Sequence, residues 1–213
     1  MSFLKLLIFD CDGVIFDSKL ANIQFYNYIL ERVNRKPLLL QEVEYVHMHT
    51  VWEALEYLLK DFPEKLSQAK KIAKETSYSL FFDYLVLEEG IREFLKWAKN
   101  YFYLAICTNR TTSTEPVLEH FSLKTFFDYI MCALHTPKSD PKALLSILET
   151  LKVKNDEALY IGDSEVDQRL CESCKVKLVA YKNPHLKADF YVHSYLELKE
   201  IIEKNFKFSP RPS

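Results

Sequence analysis

At three places in this 213-residue sequence a short apolar run is followed directly by acid, hydroxyl or amide groups. Asp10-Cys11-Asp12-Gly13 follows Leu4 to Phe9, Thr108-Asn109-Arg110 follows Tyr103 to Cys107, and Gly162-Asp163-Ser164-Glu165-Val166-Asp167 follows Ala158 to Ile161. On an extended segment Asp10 and Asp12 point the same way and flank one ligand. Such a pair can divide the work at phosphorus: one carboxylate attacks while the other handles the leaving group's proton. Gly13 permits the tight backbone that must follow. Thr108 offers a hydroxyl and a backbone N–H to phosphate oxygens. Lys138, just before the helix start at Asp140-Pro141, is the candidate to neutralise charge building on a transferred phosphoryl group. Asp10, Asp12, Asp163 and Asp167 around one point call for a cation, and hard oxygen ligation with room left for substrate oxygens and water points to Mg²⁺.

The elements that must bring these groups together are legible in the pattern. Five apolar runs read as buried strands: Leu4 to Phe9, Tyr103 to Cys107, Tyr129 to Ala133, Ala158 to Ile161 and Val176 to Ala180. Runs of this kind suit a parallel sheet covered on both faces. Amphipathic segments lie among them at Ile91 to Lys99, Glu115 to His120, Pro141 to Leu151 and Val166 to Cys174. The alternation predicts an α/β fold with a doubly wound, mostly parallel sheet, whose ligands collect at the carboxyl ends of the strands. Between the first two strands, Ser18 to about Leu85 reads as helix almost throughout. Its stripes are Ile23, Tyr26, Asn27 and Leu30; Val51, Ala54, Leu55 and Leu58; and Leu66, Ala69, Ile72 and Ala73. A crossover needs far fewer residues. The expected organisation is a core of residues 1–17 and 86–213 with a helical domain, 18–85, inserted after the first strand.

Composition narrows the setting. With 28 basic and 30 acidic residues, nothing advertises a nucleic-acid or anionic-membrane partner. The run Phe3 to Phe9 is too short for a membrane span and lacks a signal-peptide layout. The 5 cysteines have no framework spacing, which predicts reduced thiols and a cytoplasmic protein. Cys171-x-x-Cys174 has no second Cys/His pair, so it reads as helix packing on the sheet and not as a zinc site. Cys11, between two carboxylates, is no nucleophile. The tail from Lys207 to Ser213, with two prolines, is expected to be poorly ordered.

Asp10-x-Asp12-Gly13-Val14, Thr108-Asn109, Lys138 and Gly162-Asp163-x-x-x-Asp167 resemble, in this order, the four motifs of the haloacid dehalogenase superfamily. The likeness is greatest to its branch of phosphoglycolate phosphatases and β-phosphoglucomutases, which carry a helical cap after the first motif. The resemblance implies a Mg²⁺-dependent phosphatase acting on a small phosphorylated metabolite through a phospho-aspartate on Asp10. It makes Asp10 the nucleophile and a metal ligand. Asp12 becomes general acid and then base, lending its backbone carbonyl to the metal. Thr108, Asn109 and Lys138 meet the phosphoryl group. Asp163 ligates the metal, and Asp167 binds a metal-bound water or orients Lys138. An acid at Asp12 favours a phosphate ester over a dehalogenase or phosphonatase substrate. Where the family often has proline after its lysine this chain has Ser139, which makes Lys142 a rival to Lys138. The loop His47-Met48-His49-Thr50 falls where family members place a specificity loop, so His47 and His49 are expected near the substrate. A phosphomutase, or a non-catalytic protein on the same fold, are the competing readings. Monomer or dimer is left open.

Overall fold

The computed structural model describes residues 3–211. Its larger sheet has six parallel strands: β1 (Leu6–Phe9), β4 (Tyr103–Thr108), β5 (Tyr129–Cys132), β6 (Ala158–Gly162), β7 (Lys177–Tyr181) and β8 (Phe190–Val192), in the order β5-β4-β1-β6-β7-β8. The strands are apolar on both sides because both sides are covered. Leu7 and Phe9 of β1, Leu104 and Ile106 of β4, and Leu159 and Ile161 of β6 belong to one core cluster. Leu6 and Ile8, Ala105 and Cys107, and Ala158 and Tyr160 alternate into a second cluster on the opposite face. The first face is roofed by α5 (Ile91–Ala98), α6 (Thr114–His120) and α9 (Tyr195–Asn205), through Phe94, Leu95, Val117, Leu118, Leu198 and Ile202. The second is roofed by α7 (Lys142–Leu151) and α8 (Glu165–Cys174). Cys171 and Cys174 pack in that second cluster, as their spacing along a helix suggested.

Chain order reverses around β1, whose neighbours are β4 on one side and β6 on the other. The residues following these three strands therefore meet at one edge of the sheet, where ligands bind in such folds. Immediately after β1 the chain makes a tight turn. Gly13 has φ +75°, its N–H donates to the Phe16 carbonyl at 2.8 Å, and Ile15 N–H donates to the Cys11 carbonyl at 2.9 Å. A small antiparallel ribbon follows, β2 (Phe16–Asp17) against β3 (Val86–Leu87). Between its strands lie α1 (Lys19–Arg32), α2 (Leu40–Met48), α3 (Val51–Leu58), α4 (Pro63–Glu75) and a 3₁₀ stretch, Tyr78–Tyr84. Thr50 starts α3 with a capping box: its hydroxyl accepts from Glu53 N–H, and the Glu53 carboxylate accepts from Thr50 N–H at 2.9 Å. That cap fixes where the histidine loop ends.

Two features depart from the sequence reading. Strand β8 and helix α9 extend the sheet and its roof beyond the five expected strands. The tail is docked through Arg211, contrary to expectation. Lys207 carbonyl accepts from Leu4 N–H at 2.8 Å, the Phe208 ring lies 5.0 Å from that of Phe102, and Arg211 pairs with Asp128 at 2.9 Å. Burial of an aromatic side chain and an ion pair outweigh the local effect of proline here. Pro212 and Ser213 lie outside the described residues. Among the described residues, no helix is long and apolar enough to cross a membrane.

Candidate active site

The centre of the site is a buried cation between two carboxylates. Lys138, in the loop between β5 and α7, is 3% exposed; its Nζ lies 2.7 Å from Asp10 Oδ2 and 2.7 Å from Asp167 Oδ1. Asp10 is held at the end of β1 by its N–H, which donates to the Ile161 carbonyl of β6 at 3.0 Å. Asp167, in the first turn of α8, is wholly buried. Its oxygens meet five donors. Oδ1 faces Lys138 Nζ and the Tyr160 hydroxyl at 2.8 Å; Oδ2 faces Ser164 Oγ, Ser164 N–H and Asp163 N–H. Ser164 is also the N-cap of α8, so the cap that starts the helix shapes the site.

Asp163 completes the cluster. Carboxylate oxygens of Asp10, Asp163 and Asp167 all lie within 4.8 Å of one another. The approach is close enough to require glycine in the opposing turn: a Cβ on Gly13 would fall 1.9 Å from Asp163 Oδ2. Burial, and to a lesser degree the neighbouring Asp167 and Asp12, push the Asp10 carboxyl up to about 7 against the pull of Lys138. Burial followed by repulsion from Asp10 and Asp167 drives Asp163 well above the usual carboxylate range. Three acids facing one ammonium is the charge pattern that a divalent cation balances. Their hard oxygens suit Mg²⁺. With Asp167 saturated by protein donors, Asp10 and Asp163 are the carboxylates with capacity for an ion.

Asp12 stands apart from that cluster. Its Oδ1 accepts from Arg110 Nη2 at 2.6 Å and Nε at 3.1 Å, and also from Ser18 Oγ. Burial would raise Asp12, but the Arg110 guanidinium, with His47 and the Ser18 hydroxyl, together more than reverse this, so its carboxyl is held below the usual range. Thr108, at the end of β4, is buried, and its hydroxyl accepts from Arg110 N–H at 3.1 Å. Asp12 and Arg110 form the floor of a cavity of about 100 Å³, whose walls include His47, His49, Trp52 and Tyr78.

The expected loop is shorter than the sequence suggests: His47 and Met48 close the last turn of α2, His49 caps it, and the two histidines present different faces. Asn22 Nδ2 donates to His47 Nδ1 at 3.1 Å, while Tyr78 hydroxyl donates to Asn22 Oδ1 at 2.6 Å. That chain leaves the proton of a neutral His47 on Nε2. Burial holds His47 below the ordinary imidazole range. His49 Nδ1 donates to the Tyr45 carbonyl at 2.8 Å, which leaves a lone pair on Nε2, and its ring stacks on Tyr45 at 3.9 Å.

Comparison with known proteins places this geometry. The haloacid dehalogenase-like hydrolase family pattern matches residues 7–181. The chain belongs to the haloacid dehalogenase-like hydrolases. A hydrolase of that superfamily from Geobacter sulfurreducens, subfamily IA variant 1, is 36% identical, with a TM-score of 0.76 covering 93% of this chain and 96% of that one. A phosphoglycolate phosphatase of Pseudomonas putida is 25% identical over 189 residues, 82% of this chain and 68% of the relative. A β-phosphoglucomutase of Clostridium difficile shares the fold at a TM-score of 0.81 and 21% identity, covering 95% of this chain and 96% of that one. As an enzyme, this hydrolase falls with the phosphatases.

In the hydrolase, Asp10, Lys138, Asp163 and Asp167 come together at one point, with Asp12 and Thr108 beside it and His47 and His49 on the cavity wall. Asn109 lines the same cavity as Asp12 and Arg110, and its side chain also ties neighbouring segments together: Nδ2 donates to the Met48 carbonyl and Oδ1 accepts from Lys138 N–H, each at 3.0 Å. The rival lysine, Lys142, is exposed at the start of α7. Three residues carry weight that the sequence reading did not assign. Arg110 grips Asp12, and Tyr160 supports Asp167 from β6. Asn183 Nδ2 donates to the Asp163 carbonyl at 2.7 Å. Arg110 had one visible signal, its place directly after the strand-end pair Thr108-Asn109.

Proposed function

We propose that this hydrolase cleaves a small phosphomonoester through a phospho-aspartate formed on Asp10. The observation that carries the reading is Lys138, buried between Asp10 and Asp167. A fixed ammonium there offsets charge on a transferred phosphoryl group while leaving one face of the nucleophile to the substrate. Asp10 and Asp163 would hold Mg²⁺, which supplies charge neutralisation for the phosphoryl oxygens. Asp167 orients Lys138, and Thr108 contributes its hydroxyl and backbone to the phosphoryl pocket. Asp12 protonates the departing oxygen and then, as a carboxylate, takes a proton from the attacking water. Arg110's grip matches the form that Asp12 has for the second step.

Residues 18–85 act as a cap over this edge, with β2 and β3 as the connecting ribbon, and restrict bulk water during the first step. The cavity of about 100 Å³ favours a short leaving group: pockets for drug-sized ligands begin near ~300 Å³. The cytoplasm is the compartment that fits five free thiols. The test is turnover of p-nitrophenyl phosphate with and without Mg²⁺, followed by acid quenching and peptide mapping. A phosphoryl adduct on the Asp10 peptide is the expected result, and metal-independent turnover with no adduct would refute the mechanism.

A further inference from the structure

The turn that follows Asp12 is pinned from a part of the chain beyond the family pattern, which ends at residue 181. The pin is Tyr195. Ser194 is the N-cap of α9, its hydroxyl accepting from Glu197 N–H, and this fixes Tyr195 as the first residue of the helix. The Tyr195 side chain is buried and packs against Phe94 and Tyr181, with ring centres 5.2 Å from each. So placed, its hydroxyl donates to the Val14 carbonyl at 2.7 Å, across 181 residues of sequence. Val14 is itself wholly buried. Among the described residues, no amide of its own turn reaches that carbonyl: Gly13 N–H donates to Phe16, while Ile15 and Phe16 N–H both donate to Cys11. A buried carbonyl without a donor is costly, so the turn depends on this one hydroxyl. The next carbonyl, of Ile15, accepts from Glu88 N–H at 3.0 Å in the segment returning from the inserted helices. Glu88 is held in turn by the Tyr181 hydroxyl at 3.2 Å.

We propose that Tyr195 is a positioning residue for Asp12: by holding Val14 on the core, it keeps the Asp12 carboxyl at the ester oxygen while the inserted helices move. This rests on the phosphatase reading above and adds a residue to it. Asp10 is fixed within the sheet, but Asp12 stands on the segment that leaves the sheet for the cap. Movement of the cap reaches that segment through the β2–β3 ribbon and through the bond from Glu88 to Ile15. Val14 lies between Ile15 and Asp12, and its carbonyl is tied to a core helix instead. The displacement is therefore stopped one residue before it would be passed towards Asp12. A proton donor that drifts by an ångström from its acceptor loses much of its effect on rate. Tyr195 does not line the cavity beside Asp12, so it acts on the reaction through that turn alone.

The test uses Tyr195→Phe, which keeps the packed ring and removes only the hydroxyl, with two aryl esters in the presence of Mg²⁺. Phenyl phosphate releases a strongly basic phenoxide that needs a proton as it departs, whereas p-nitrophenyl phosphate releases an anion that scarcely does. In Tyr195→Phe, kcat for phenyl phosphate should fall by about tenfold more than kcat for p-nitrophenyl phosphate, with KM for each within about twofold of wild type. Equal falls on the two esters, or none, would overturn the assignment. Tyr181→Phe is the control, since it removes a neighbouring buried hydroxyl without touching Val14; it should leave the ratio of the two esters unchanged, and an equal shift there would also overturn the proposal. Hydrogen exchange gives a readout independent of turnover. In Tyr195→Phe the amides of Ile15 and Phe16 should exchange about tenfold faster while those of β1 do not change, and unaltered rates would show that Tyr195 does not hold the turn. If wild type cleaves neither ester, the phosphatase reading fails, while hydrogen exchange still decides whether Tyr195 pins Val14. If Tyr195→Phe does not fold by circular dichroism, wild-type exchange decides: rates for Ile15 and Phe16 as slow as those of β1 support the pin, and faster ones overturn it.

Discussion

Asn109 Nδ2 donates a 3.0 Å hydrogen bond to the carbonyl of Met48, joining the loop after β4 to the last turn of α2, 61 residues away in sequence. Met48 is the residue between His47 and His49, so this bond ties the histidine-bearing end of α2 to the end of β4. The other end of the same amide accepts from Lys138 N–H at 3.0 Å. One side chain thus sets the cavity wall relative to the buried lysine.

Replacing Asn109 with alanine should therefore act at a distance from its own position. Two hydrogen bonds of about 1 kcal/mol each are lost. The expected result is a drop of roughly tenfold in kcat/KM for a small phosphomonoester, with a melting temperature lowered by only a few degrees. Steady-state kinetics beside thermal melting separate the two; wild-type kinetics would show that the tie does not position the site.

Asp10→Asn preserves the shape of the side chain and removes the nucleophile. Turnover of p-nitrophenyl phosphate should fall by at least about a thousandfold with the circular dichroism spectrum unchanged. Activity near wild type, measured in purified protein with Mg²⁺, would exclude Asp10 as the attacking group.

The metal prediction has a pH signature. Asp10 titrates near 7 in the folded, metal-free protein against 3.8 ordinarily, and Asp163 moves in the same direction. Between those values the folded chain holds a proton that the unfolded chain has lost, so stability falls as pH rises through that window. Mg²⁺ favours the ionised carboxylates and opposes the fall. Its stabilisation of the melting temperature should thus be larger at about pH 8 than at about pH 5. Asp163→Ala should remove most of that difference. EDTA should abolish activity and Mg²⁺ restore it, whereas Ca²⁺, with its larger and looser shell, should inhibit. A Mg²⁺ effect independent of pH, or full activity in chelator, contradicts the assignment.

His47 and His49 face the cavity with opposite hydrogen-bonding character, one with an N–H and one with a lone pair. Converting both to alanine should reorder a panel of phosphorylated metabolites by about tenfold or more in kcat/KM, while p-nitrophenyl phosphate changes less. Uniform loss across the panel, ester for ester, would assign the loop to cap packing.

Local pattern was enough to locate much of this molecule. The alternation of apolar runs and amphipathic segments specifies a covered parallel sheet, because strands buried on both faces must be apolar throughout. The places of Asp10, Thr108 and Asp163 follow, since each stands at the carboxyl end of such a run. The helical character of Ser18 to Leu85 follows from stripes at helical spacing. Contacts between distant segments were not legible in this way. Arg110 meets Asp12 across 98 residues only because β4 lies beside β1, and Tyr160 reaches Asp167 because β6 and α8 fold onto one face. Asn109 carries a strand-end position in the sequence, yet its partners belong to the end of α2 and to the loop before α7. The tail shows the same limit: its prolines suggest disorder, while Phe208 and Arg211 find an aromatic face and an aspartate supplied by remote segments. Periodicity records which side of an element is buried. Which charge meets which depends on strand order and loop approach, and these exist only once the chain has closed on itself.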